Sequence, residues 1–136
     1  MASLFMLDTD TCIFLMRRAS QKLEAKVQSV PLQNQVMSAV TFAELSYGVQ
    51  ASVAAKRKQN QATLDSLALH LAVLDWPQDA AKFYAEIRFD LKKRGAQLGA
   101  ADLMIAAHAR SLGAVVVTNN VKDFSRVKGL EVENWT

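Results

Sequence analysis

The chain has 136 residues, 51% of them apolar, with 16 Lys and Arg against 13 Asp and Glu; that is enough for one buried core and too little for a second independent domain. A single cysteine, Cys12, excludes an internal disulfide and fits a reducing cytoplasm, and with only His70 and His108 beside it a His/Cys zinc site is not expected. No apolar stretch approaches membrane-spanning length, the opening residues lack the basic start of a signal peptide and break at Asp8, and no linker or repeat interrupts the chain, so residues 1–136 read as one domain.

Residues 4–7 form a short apolar run closed by Asp-Thr-Asp-Thr, after which Cys12-Ile-Phe-Leu-Met16 leads to Arg17 and Arg18. This reads as a buried strand, a tight polar turn and a helix. Residues 36–40 predict a second buried strand, and Thr41-Phe-Ala-Glu44 has the capping-box pattern, with Thr41 as N-cap and Glu44 three residues on. Residues 51–71 read as mainly helical and residues 72–74 as a short strand before Trp76-Pro77. From residue 79 to 94 the apolar positions Ala80, Phe83, Tyr84, Ile87 and Leu91 mark one helical face, ended by Lys92-Lys93-Arg94 and Gly95. Residues 101–112 are apolar on nearly every side, as a buried helix requires, and Gly113 caps them. Residues 114–117 predict a central strand, Thr118-Asn-Asn120 a turn, and residues 130–135 a last, weaker strand.

Strands that are continuously apolar and alternate with helices predict a parallel sheet covered on both faces. Ligands of such sheets bind at the carboxyl ends of the strands, and four acids converge there: Asp8 ends the first strand, Glu44 lies one helical turn past the second, and Asp123 follows the strand at 114–117 by one loop. Asp102 heads a covering helix that runs antiparallel to the strands, which brings its first turn over the same edge. Two carboxylates about 5 Å apart repel by roughly 3 kcal/mol at an effective dielectric of about 20, so a divalent cation is the expected remedy. With these four acids set aside, nine acidic residues remain against 16 basic ones. A basic surface around an acidic pocket suits nucleic acid.

Each residue also has a purely structural reading. Glu44 fits a capping box, Asp102 favours a helix N-terminus, Asp8 fits a strand end with Asp10 or Thr11 as N-cap, and an acid before Phe124 is commonplace. His108 lies about 120° around the helix from Asp102 and reads as a structural histidine, as does His70. The residues at Phe83, Tyr84 and Ile87 read as core. No Gly-rich phosphate loop is present.

The blocks Leu7-Asp-Thr-Asp-Thr-Cys-Ile13, Phe42-Ala-Glu-Leu45 with Tyr47-Gly48, Gly99-Ala-Ala-Asp-Leu-Met-Ile-Ala-Ala-His-Ala109 and Val117-Thr-Asn-Asn-Val-Lys-Asp-Phe124 resemble, in order and spacing, those of PIN-domain ribonucleases. Within that family they are most similar to VapC toxins of bacterial toxin–antitoxin pairs. The resemblance implies a three-layer α/β/α domain with a mainly parallel sheet of about four or five strands. It implies a Mg²⁺- or Mn²⁺-dependent endoribonuclease that cuts structured RNA such as tRNA and so inhibits translation. Its acids carry over onto Asp8, Glu44, Asp102 and Asp123, the first three as ion ligands, with Thr9, Asp10, Thr118 and Asn120 in support. Many relatives hold their fourth acid where this chain has Asn120, which leaves Asp123 and Asn120 as rival fourth positions. A VapB-like antitoxin, a homodimer and a cytoplasmic location are implied in the same way. Arg17, Arg18, Lys92, Lys93 and Arg94 are the candidates for gripping the RNA backbone. A DNA nuclease of the same fold and a non-catalytic, Mg²⁺-binding acidic receiver or interaction module are the alternatives; the receiver leaves Glu44 and Asp102 at helix starts unexplained.

Overall fold

The computed structural model describes residues 3–136. Its elements run β1 (Phe5–Leu7), α1 (Thr9–Arg17), α2 (Gln21–Ser29), a 3₁₀ turn (Leu32–Asn34), β2 (Gln35–Ser38), α3 (Ala39–Gln50), α4 (Ala54–His70), β3 (Ala72–Leu74), α5 (Ala80–Lys93), α6 (Ala100–Leu112), β4 (Val115–Val117), the single turn α7 (Val121–Phe124) and β5 (Glu131–Glu133). The strands pair in the order β3-β2-β1-β4-β5, and all four pairings are parallel. This is the parallel α/β/α sheet expected from the apolar strands.

Strand periodicity sorts the two cores. Met6, Val36 and Val116 stand in register and point to one face, where they meet Ile87 and Leu91 of α5 and Leu103, Ile105, Ala106 and Ala109 of α6. Their neighbours Leu7, Met37 and Val117 point to the other face, against Cys12 of α1, Leu23 of α2, Leu45 and Val49 of α3, and Leu64 of α4. Each strand has only three or four residues. Burial of both faces compensates for that brevity, at about 25 cal/mol for each Å² of apolar surface removed from water.

Two boundaries depart from the expected ones. No turn separates β1 from α1, because Asp8 itself is the N-cap and accepts from Thr11 N–H at 2.9 Å. Helix α3 begins at Ala39, so Val40 is helical and Thr41 is a buried residue inside the helix, not its cap. The cap is Ser38, whose Oγ accepts from Val40 N–H at 3.1 Å and lies 2.8 Å from Nδ1 of buried His108. The capping box is therefore absent: a tertiary partner on α6 decides which hydroxyl starts the helix. Helix α2, which no motif marks, begins at Ser20, and buried Gln35 holds its exit by donating to the carbonyls of Val27 and Val30. At the end of α6, Gly113 has φ +64°, a conformation that favours glycine, and its N–H returns to the helix.

His108 is structural as expected, buried and hydrogen-bonded, and burial pushes its pKa down. His70 is also hydrogen-bonded, through Nδ1 to the carbonyl of Ser66, but it is exposed at the end of α4 and not set among the leucines. Replacing Ser38 with Ala removes a cap and strands the imidazole, and should lower the unfolding free energy by about 1–2 kcal/mol in urea titrations. Because the folded pKa of His108 lies below its unfolded value, its contribution is present above pH ~6.5 and declines as pH falls. A His108→Gln variant should lack that component of the acid-side loss.

Candidate metal centre

The sheet order reverses direction at β1: the chain moves outward through β2 and β3, then returns to lay β4 on the other side of β1. Loops leaving β1 and β4 diverge, and open the crevice that parallel sheets use for ligands. Asp8 leaves β1 there and Thr118 leaves β4. Asp8 N–H donates to the carbonyl of Val117 at 3.0 Å, and Thr118 Oγ1 donates to Asp8 Oδ2 at 2.5 Å. With Thr11 N–H on its Oδ1, the Asp8 carboxylate is fully oriented and only 2% exposed.

The remaining acids arrive on helices. Glu44 is the sixth residue of α3 and accepts from Thr9 Oγ1 at 2.5 Å, while Thr41 Oγ1 lies 3.4 Å from the same threonine hydroxyl. Asp102 sits in the first turn of α6. Asp123 belongs to α7, a helical turn where a loop was expected, and accepts from Asn120 Nδ2 at 2.9 Å. Thr118 also accepts from Asn120 N–H at 2.8 Å. Thr9, Thr118 and Asn120 thus support three different acids. The two rival fourth positions, Asn120 and Asp123, are hydrogen-bonded to each other.

Electrostatics singles out Asp102. Burial, then the charges of Asp8, Glu44, Asp10 and Asp123, push its pKa up to about 6, and no donor among the described residues offsets them. Burial likewise raises the pKa of Asp8, against the hydrogen bonds from Thr118 and Thr11. Asp10 is exposed and acts on the others only through its charge.

Among the described residues, no three His, Cys, Asp or Glu side chains stand close enough together to hold a metal ion as they are. Asp8, Glu44 and Asp123 are each turned to a threonine or asparagine of their own, and only Asp102 is left without such a partner among the described residues. The donor set nonetheless fits a hard divalent ion: carboxylate, hydroxyl and amide oxygens, no sulfur or imidazole, and in Asp102 a half-buried carboxylate that lacks any partner.

The basic candidates divide. Arg17 shares a cavity of about 360 Å³ with Glu44, and Lys92 shares one of about 400 Å³ with Leu103, the residue after Asp102. Lys93 is exposed and outside any ion pair among the described residues. Arg18 is paired to Glu24 at 3.2 Å while its side chain stays exposed, and Arg94 donates twice to Asp90, at 3.0 and 2.8 Å. Sequence reasoning missed Arg126, which pairs with Asp123 at 3.5 Å; its three-residue spacing on one turn was the available signal.

Comparison with known proteins follows this geometry. The family model for the PIN domain matches residues 5–130. The tRNA(fMet)-specific endonuclease VapC of Salmonella typhimurium is 38% identical over 131 residues, spanning 96% of this chain and 97% of the relative. The solved DNA-bound VapBC of Salmonella typhimurium superposes with a TM-score of 0.92 at 36% identity, over 99% of this chain and 100% of that one. VapBC-5 of Mycobacterium tuberculosis, from the VapBC family of toxin–antitoxin systems, gives a TM-score of 0.73 at 33% identity, over 98% of both chains.

An acid whose folded pKa is raised binds its proton more tightly when folded, so it favours the fold below pH ~4 and opposes it as pH rises through about 6. In ion-free buffer at pH 7, Asp102→Asn should therefore be more stable than wild type by about 1–2 kcal/mol, allowing for solvent at this half-buried group. The difference should vanish near pH 4. Equal stability at both pH values would refute the charge clustering.

Proposed function

This chain belongs to the PIN-domain family, and we propose on that premise that its acidic sheet edge holds Mg²⁺ or Mn²⁺ and hydrolyses RNA phosphodiester bonds there. It is an endoribonuclease of the VapC kind, the toxin of a toxin–antitoxin pair. The unpartnered carboxylate of Asp102, among four other acids at the switch point of the sheet, carries the metal reading.

Asp8, Glu44 and Asp102 would hold the ion. When bound, it supplies positive charge that lowers the pKa of an attacking water and offsets the charge growing on the phosphoryl group. The chain's own residues do the positioning: Thr118 and Thr11 fix Asp8, and Thr9 fixes Glu44. The hydroxyls of Thr118 and Thr9 and the backbone N–H of Thr11 restrain carboxylates that would otherwise rotate into solvent. Asp123 and Asn120 close the pocket on the β4 side. Arg17, Lys92 and Lys93, outside any ion pair among the described residues, grip the RNA backbone by charge and not by reading its sequence.

Structured RNA such as tRNA is the proposed substrate, and arrest of translation the outcome; the Salmonella relative named for tRNA(fMet) supports this. The proposed partner is a VapB-like antitoxin that covers the acidic edge. Tyr47 on α3 and Phe89 on α5 are exposed and supply apolar surface for that partner or for a second copy in a homodimer. No helix among the described residues is long and apolar enough to cross a membrane, and cytoplasmic action is the proposed setting.

Asp8→Asn and Asp102→Asn each remove charge and almost no volume. Either should lower Mn²⁺-dependent cleavage of purified tRNA on the order of 10²-fold or more, with the fold retained by circular dichroism. Wild-type cleavage by either variant, or cleavage in excess EDTA, overturns the metal reading; equal cutting of matched DNA points to the alternative nuclease. Mn²⁺ should also raise the melting temperature of the wild type and leave that of Asp102→Asn nearly unmoved.

A further inference from the structure

Arg126 is the one basic side chain among the described residues that forms an ion pair with any of the four edge acids. The other ion pairs join Arg18 to Glu24, and Arg94 and Lys128 to Asp90. Arg126 Nη1 stands 3.5 Å from Asp123 Oδ1, and donates to the carbonyl of Gln97 at 3.2 Å. Gln97 lies in the loop of residues 94–99 that enters α6, five residues before Asp102. The carbonyl of Arg126 in turn accepts from Arg94 Nη2 at 2.5 Å, and Arg94 is anchored on Asp90 of α5. One residue therefore ties the turn that carries Asp123 to the segment that delivers Asp102.

The two acids it links are in opposite states. Both oxygens of Asp123 are occupied, one by Asn120 and the other by Arg126. Asp102 has no donor among the described residues. A carboxylate whose charge is offset and whose oxygens are held competes poorly for a cation, whereas a bare one competes well.

We propose that Arg126 is a positioning residue of the acidic edge, which holds Asp123 out of the ion's coordination as a polar wall and fixes the approach of the loop that delivers Asp102. The proposal rests on the metal reading given above. It makes the site one of three acid ligands, with Asp123 as a fourth acid held aside by Asn120 and Arg126.

Loss of the guanidinium has a consequence that a merely structural role would not produce. The edge becomes more negative and Asp123 is released toward the ion, so ion affinity and turnover move in opposite directions. In calorimetric titration with Mn²⁺ alone, Arg126→Gln should bind roughly two- to fivefold more tightly than wild type, the scale of one screened charge near a divalent ion. Its kcat on tRNA should fall about tenfold or more, with KM within about twofold. Arg126→Lys keeps the charge without the forked reach, and should restore wild-type Mn²⁺ affinity and part of kcat.

A raised KM with kcat intact would instead make Arg126 an RNA-gripping residue and overturn the proposal, as would Mn²⁺ affinity that is unchanged or weaker in Arg126→Gln. A double-mutant cycle in ion-free buffer separates this from failure of the metal reading. Arg126→Gln should lower the melting temperature of the wild type by more than that of an Asp123→Asn background. If that coupling is present while the wild type binds no Mn²⁺, the pair holds and the metal reading fails. If the coupling is absent, the positioning role fails whatever the ion does.

Discussion

Mutual repulsion of carboxylates at the crevice between β1 and β4 is the constraint around which this edge of the molecule is built. Asp8 is nearly fully buried, and an ionised carboxylate there is tolerable only because Thr118 and the first turn of α1 donate to it. Those donors come from the two loops that diverge at the switch point, so the hydrogen bonds that stabilise the acid also close the carboxyl end of the β1–β4 pair. Structure and chemistry share the same few atoms.

The rest of the edge follows from where helices begin. Ser38 starts α3 because a histidine from α6 stands beside its hydroxyl, and this start sets the rotation that aims Glu44 toward Thr9. Alanines at 106, 107 and 109 let α6 bury its middle against the sheet and α5, while its first turn brings Asp102 over the acids. An uncompensated carboxylate opposes folding at neutral pH and is retained where function needs charge. Asp102 is the uncompensated group here, and the oxygen atoms of the neighbouring side chains are of the kind that hard cations take.

The surface divides its basic residues between two tasks. Arg94, Arg126 and Lys128 are spent on the junction of α5, α7 and the loop before α6, with Asp90 at its centre. Arg17, Lys92 and Lys93 are outside any ion pair among the described residues. Sequence spacing alone cannot sort them, since whether a cation is free depends on which carboxylate or carbonyl the fold brings near it. Arg94 follows Lys92 and Lys93 in the same basic run, yet only it is bound from both sides.

The local pattern determined a good deal. The apolar runs at residues 4–7 and 114–117 read as buried strands and became Phe5–Leu7 and Val115–Val117, and the stripe from Ala80 to Leu91 reads as a helix face, as the period of 3.6 residues requires. The acids at strand ends and helix starts were legible for the same reason, because a parallel sheet sends every such end to one edge. Tertiary structure decided what local pattern cannot hold: that Ser38 and not Thr41 caps α3, that α2 exists under the clamp of Gln35, and that Asp123 sits on a helical turn bonded to Asn120 and Arg126. In each case the deciding partner lies on another element or across a turn. A hydrogen bond or ion pair has no periodic signature in the sequence; it is settled by which side chains the packed sheet and helices bring within about 3 Å of each other.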